Sequence, residues 1–163
     1  IKNTNTNIFF YPLEEWCFQL HNFFQSFLIV FLALIFFNKS IFINFLINSP
    51  LPLINFFIFM FWFPFFICLL GVRYRDLYQL IPIILQLTFL ISPLLYMKEN
   101  LGNLIWIVNV NPIYLIISQL RDSIIGLEVI NSSIYFTFLF NILGLVFSLL
   151  YFRKMRKLIP FLV

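Results

Sequence analysis

The sequence predicts an all-α fold, a polytopic membrane helix bundle with four spans and an extracytoplasmic re-entrant helical hairpin. Three observations predict it. Of 163 residues, 63% are hydrophobic and only 10% are charged, against about 25% charged in soluble domains. The mean hydropathy is +1.02. The apolar residues fall in runs of about 20, the length that crosses a hydrocarbon core of about 30 Å, and in lipid such runs satisfy their backbones as helices. An outer-membrane barrel would instead alternate polar and apolar residues along each strand.

Residues 1–9 are rich in Asn and Thr and read as a polar lead-in. Tyr11-Pro12-Leu13-Glu14-Glu15 reads as a helix start, because proline is tolerated in a first turn and carboxylates there favour the positive end of the helix dipole. The first span covers about 17–37. From Asn38-Lys39-Ser40 to Asn48-Ser49 the apolar signal is interrupted, with Ile41 to Ile47 suited to the outer interface. Ser49-Pro50 opens the second span, about 50–70, in which Pro64 predicts a kink or the local loss of a backbone hydrogen bond.

A short charged segment, Gly71-Val72-Arg73-Tyr74-Arg75-Asp76-Leu77-Tyr78-Gln79, separates the second and third spans. Its loop is 71–78, and the third span is about 79–97. Residues 98–132 form the longest non-spanning segment. Its apolar stretches at 104–110 and 113–120 are each too short to cross a bilayer. Asn111-Pro112 between them is a turn signal, so two short helices fold back as the re-entrant hairpin. The fourth span, about 133–152, ends at Arg153-Lys154-Met155-Arg156-Lys157, a stop signal that also suits anionic lipid headgroups. The whole chain, 1–163, reads as one transmembrane domain.

The formal net charge is +4, and the positions of the cations decide its meaning. With the segment before the first span cytoplasmic, Lys2, Arg73, Arg75, Arg153, Lys154, Arg156 and Lys157 lie inside, against Lys39, Lys98 and Arg121 outside. This follows the positive-inside rule and puts both ends of the chain in the cytoplasm. The cations form no patch for nucleic acid, so none is expected as a partner.

Little in the sequence suits catalysis. Glu14 and Glu15 are adjacent, so on a helix their side chains diverge by about 100° and make no acid pair. The acids at 14, 15, 76, 99, 122 and 128 fall on both sides of the membrane. His21 reads as an interfacial imidazole, and no metal-site spacing is present. Cys17 and Cys68 fall near cytoplasmic helix ends, where thiols stay reduced. Gly71, Gly102, Gly126 and Gly144 are the four glycines, and none sits in a phosphate-cradling loop followed by Lys and Ser or Thr. No enzyme activity and no cofactor are expected in this chain.

The series Val72-Arg73-Tyr74-Arg75-Asp76-Leu77, Gln86, Ser92-Pro93-Leu94-Leu95-Tyr96, Asn111-Pro112-Ile113-Tyr114 and Arg121-Asp122-Ser123-Ile124-Ile125-Gly126 resembles the permease subunit of type-2 ABC exporters. The branch it is most similar to exports polysaccharide: O-antigen, capsule and teichoic-acid transporters. Tyr11-Pro12-Leu13-Glu14 is similar to that family's short Phe-Pro-Leu-Glu stretch before its third span. The resemblance implies a six-span unit, of which this chain supplies the last four, so a chain lacking the N-terminal part is expected. It further implies a multi-pass protein of the bacterial inner membrane, working as a homodimer of permeases with separate ABC ATPase subunits that carry Mg-ATP. Lipid-linked glycan would be the substrate.

The resemblance gives Arg73, Arg75 and Asp76 the role of an ATPase-coupling loop, and Ser92, Pro93, Asn111, Pro112 and Arg121 that of an outer gate. A simpler reading makes the arginines positive-inside anchors, with Asp76 paired to Arg73 at helical spacing. Arg121 needs a partner near membrane depth, and the sequence offers Asp122 or Glu128. Tyr74, Tyr78, Tyr96, Trp106 and Tyr114 read as interface aromatics. The alternatives in function are a membrane-embedded transferase acting on lipid-linked sugar and an ABC exporter of a drug, lipid or haem.

Overall fold

Residues 9–74, 76–91, 111–127, 129 and 131–156 are described by a computed structural model. Arg75, Ser92, Pro93, Lys98 and Glu128 lie outside the described residues. So does 98–110, the first limb of the expected hairpin. The described elements are all helices: α1 (Phe10–Phe37), α2 (Ser40–Asn48), α3 (Pro50–Arg73), α4 (Leu77–Ile91), α5 (Pro112–Ile125) and α6 (Asn131–Met155).

Three of these, α1, α3 and α6, are long and apolar enough to cross a membrane. The expected third span corresponds to α4, which has 15 residues, with Gln79–Leu90 as its apolar part. About 22 Å of helix does not cross a core of about 30 Å. The end of that expected span, 92–97, lies outside the described residues.

Local chemistry explains the boundaries. Helix α1 starts at Phe10, earlier than expected, with Pro12 in its first turn. Glu14 and Glu15 therefore fall beyond that turn, out of close range of the helix dipole. Asn38 ends α1 in an extended conformation, and its Oδ1 accepts from the Ser40 backbone N–H at 3.0 Å and from the Ser40 hydroxyl at 2.7 Å. One asparagine thus closes α1 and sets the entry to α2. Ser49 donates its hydroxyl to the Phe45 carbonyl, and Pro50 opens α3 at a position where its missing N–H costs nothing. Pro64 stays within α3 and deprives the Met60 carbonyl of its usual helical donor.

Ring contacts give the helix directions. Phe9 meets Phe65 and Phe152 at centroid distances of 5.5 and 5.4 Å, Trp16 meets Phe61 at 5.2 Å, and Phe23 meets Phe56 at 5.3 Å. Helix α1 therefore runs antiparallel to α3. Helix α6 runs parallel to α3: Asn55 meets Thr137 and Phe65 meets Phe152. The start of α1 and the end of α6 consequently lie at one end of the bundle, beside Arg73. Helix α2 lies at the other end.

The core is a set of three clusters along α3. Phe65, Leu69, Phe152 and Met155 fill the end near the chain termini. Phe59, Trp62 and Ile116 fill the middle. Ile41, Leu120 and Ile124 join α2 to α5 at the far end. Helix α5, about 21 Å long, therefore begins level with the middle of α3 and ends at α2. Ile41 to Ile47, expected along the interface, belong to α2, whose Ile41 is buried against α5. Helix α1 buries no residue completely, and α4 exposes Leu80, Ile83, Ile84, Leu87 and Leu90. In a bilayer both would meet lipid or other protein.

Candidate functional site

Three groups of polar side chains each need their own account of where their hydrogen bonds go. The first is a buried seam joining α3, α5 and α6. Asn55 donates to the Thr137 hydroxyl at 2.8 Å, and Thr137 donates to Gln119 Oε1 at 2.9 Å. Gln119 Nε2 in turn donates to Ser133 at 3.2 Å. Trp62 Nε1 donates to Asn141 Oδ1 at 2.8 Å, and Asn141 Nδ2 donates to the Asn55 carbonyl at 3.0 Å and also to Asn55 Oδ1. Asn55, Thr137 and Asn141 are fully buried. Gly144 makes room for this arrangement, since a Cβ there would lie 2.5 Å from the Trp62 ring.

Each bond of this kind between membrane helices contributes about 0.6–1.7 kcal/mol. The seam is self-satisfied, which makes it a tie between helices. Sequence reasoning passed over it. The signal was there, in Asn55 and Asn141 inside two apolar runs, but frequent asparagine elsewhere in the chain masked it.

The second place is the corner between α3 and α4. Tyr74 ends α3 in an extended conformation, its N–H bonded to the Leu70 carbonyl at 2.8 Å. Arg73 is exposed, with its guanidinium 5.4 Å from the centre of the Tyr74 ring. The Asp76 carbonyl accepts from the backbone of Gln79 at 3.2 Å and of Leu80 at 3.4 Å, and the residue is exposed. Among the described residues Arg73 and Asp76 form no ion pair. The helical spacing that would pair them is broken at Tyr74.

The third place is α5. Asn111 caps its N-terminus, accepting from Ile113 N–H at 3.1 Å and Tyr114 N–H at 3.4 Å, and Pro112 occupies the first helical position. At the other end Gly126, with φ +86°, closes the helix, and Leu127 N–H bonds back to the Asp122 carbonyl at 2.9 Å. Asn44 of α2 donates to the Ile125 carbonyl at 3.4 Å.

Arg121 finds its partner in the adjacent Asp122, with Nε and Nη2 at 2.9 and 2.8 Å from Oδ1. Adjacent positions were the poorer prospect on a straight helix, but the long, flexible arginine side chain folds back to the short aspartate beside it. Desolvation pulls the Arg121 guanidinium down, but the hydrogen bond and charge of Asp122 outweigh it and hold the group above its ordinary value.

Among the described residues, the expected gate positions Asn111 and Pro112 do not converge with Arg121. Asn111 and Pro112 sit level with the bundle's centre, and Arg121 lies about 15 Å further along the helix axis. Tyr114, expected at the interface, is fully buried, whereas Tyr74 is exposed. Cys17 and Cys68 are free thiols. Among the described residues no three His, Cys, Asp or Glu side chains come together as a metal site would require.

Comparison with known proteins produced no match to a family model, a curated protein or a solved structure.

Proposed function

We propose that this chain is the transmembrane permease subunit of an ATP-driven ABC exporter that moves lipid-linked polysaccharide across the bacterial inner membrane. The observation that carries this reading is the corner between α3 and α4. Arg73 and Asp76 are exposed there, unpaired with one another, at the end of the bundle that also holds Arg153, Lys154 and Arg156. By the positive-inside rule that end is cytoplasmic. A charged corner between two helices, presented to the cytoplasm, suits docking of a soluble partner, because rim charges set orientation and partner choice.

In this reading Arg73, Arg75 and Asp76 contact an ABC ATPase whose nucleotide binding shifts the permease between two conformations. Two permease copies bound the path. Helix α5 would carry the outer gate, with Asn111 and Pro112 at mid-depth and Arg121 at its far end, together with Ser92 and Pro93.

The test is Asp76→Ala in the assembled transporter. Surface glycan should fall several-fold while membrane insertion and protein level stay as in the parent, and the ATPase should no longer co-purify. Unchanged surface glycan with the ATPase retained would remove the docking role.

A further inference from the structure

Helix α1 carries a polar face at the depth where the bundle should be most apolar. Glu15, Gln19, Asn22 and Ser26 follow one another at intervals of four, three and four residues, which places them in one stripe, with His21 and Gln25 along its flank. All six are exposed, while Trp16, Leu20, Phe23 and Phe27 turn toward the bundle. Gln19 Nε2 donates to Glu15 Oε1 at 2.7 Å. Among the described residues His21, Asn22, Gln25 and Ser26 find no side-chain partner on any other helix.

The depth of the stripe follows from the packing. Trp16 lies against Phe61, and Phe23 against Phe56 and Phe57, so Gln19 to Asn22 stand opposite the middle of α3. Arg73 marks one end of the bundle and Lys39 the other, and the stripe falls between them. Amides and an imidazole turned to hydrocarbon at that depth would be unsatisfied, which membrane proteins avoid. Beyond Ser26 the same face becomes apolar through Ile29, Ala33 and Phe36. The long amides of Gln19 and Gln25 differ from the small residues that let membrane helices approach closely, and among the described residues they meet no polar side chain on another helix.

We infer that this face is one wall of a water-filled vestibule, open at the end of the bundle where the described chain ends lie and closing near Ser26. Its occupant is water and a hydroxyl-rich glycan chain, because the amides of Gln19, Asn22 and Gln25 both donate to and accept from hydroxyls. The water access stands independently, while the glycan as occupant rests on the export reading.

The test is cysteine accessibility in the full-length protein in its membrane, with Cys17→Ser and Cys68→Ser as background. Single changes Gln19→Cys, Asn22→Cys and Ser26→Cys should react with a membrane-impermeant maleimide at least tenfold faster than Ile29→Cys or Leu32→Cys. Equal rates at all five positions would overturn the vestibule. So would stoichiometric photocrosslinking of a benzophenone placed at Asn22 to a second polypeptide, which would identify a packed partner. Fast labelling together with unchanged glycan export in Asn22→Leu would keep the vestibule and overturn the glycan as its occupant.

Discussion

The seam between α3 and α6 and the outer face of α1 are made of the same chemistry, amides and hydroxyls at mid-depth in an apolar bundle, yet they meet opposite fates. Asn55, Thr137 and Asn141 are completely buried and exchange hydrogen bonds with one another and with Trp62 and Gln119. Asn22, Gln25 and Ser26 are exposed. A polar group at membrane depth is a structural tie when its partner belongs to the same fold. When the partner is absent from the fold, the group points to water, substrate or another chain.

The largest effect expected from this contrast is at Asn141. Asn141→Leu leaves the Trp62 indole N–H and Asn55 Oδ1 buried without their donor–acceptor partner, and should lower unfolding free energy in mixed micelles by about 3 kcal/mol. Asn22→Leu should stay within about 0.5 kcal/mol of the parent, as exposed substitutions generally do. Equal losses at the two positions would end the distinction between tie and vestibule wall.

Next comes the packing that lets the seam form. Gly144→Leu drives side-chain atoms into the Trp62 ring and should cost about 1–3 kcal/mol, the usual range for overpacking, with quenching or shift of tryptophan fluorescence as a second readout. A Gly144→Leu protein as stable as the parent would mean that Trp62 is free to move off Asn141.

The ends of α5 come third. Asn111→Ala removes the N-cap acceptor and should cost about 1 kcal/mol. Gly126→Ala places a Cβ at positive φ and against Asn44, for a penalty of about 1–2 kcal/mol. Thermal unfolding of each single variant checks both, and additivity in the double variant would show that the two ends act independently.

The smallest effect belongs to the ion pair. Arg121 and Asp122 are 41% and 21% exposed, so after solvent screening Arg121→Gln should cost less than about 1 kcal/mol, and less still in high salt. Because the folded guanidinium is held above its ordinary value, its contribution is present below that value and is lost only as pH rises through the folded one. A titration from about pH 6 to 9 should therefore leave the Arg121 contribution flat.

Much of the architecture was legible along the chain. The apolar runs at 50–70 and 133–152 became α3 and α6, the first starting at Pro50 as expected and the other ends extending by two or three residues, because a long run in lipid has no alternative to helix. Asn111-Pro112 announced the start of α5, since both residues act locally, one as cap and one as first helical residue. The start of α1 was read from Pro12, although Glu14 and Glu15 fall a turn too late to meet the dipole.

Spatial pairing was not legible. The seam joins residues about 80 positions apart, as in Asn55 with Thr137 and Trp62 with Asn141, and nothing local couples them. Nor did spacing favour Asp122 as a partner of Arg121, although among the described residues that pair forms.

The amino-acid sequence by itself determined that this chain is helical, that it belongs in a membrane and where its long helices run, since those follow from hydrophobicity and backbone hydrogen bonding within each segment. Only the tertiary structure decided which polar residues are ties and which are open, which cation is paired, and how deep α5 begins. Those outcomes depend on which faces meet, and hydropathy along a single segment carries no information about its neighbours.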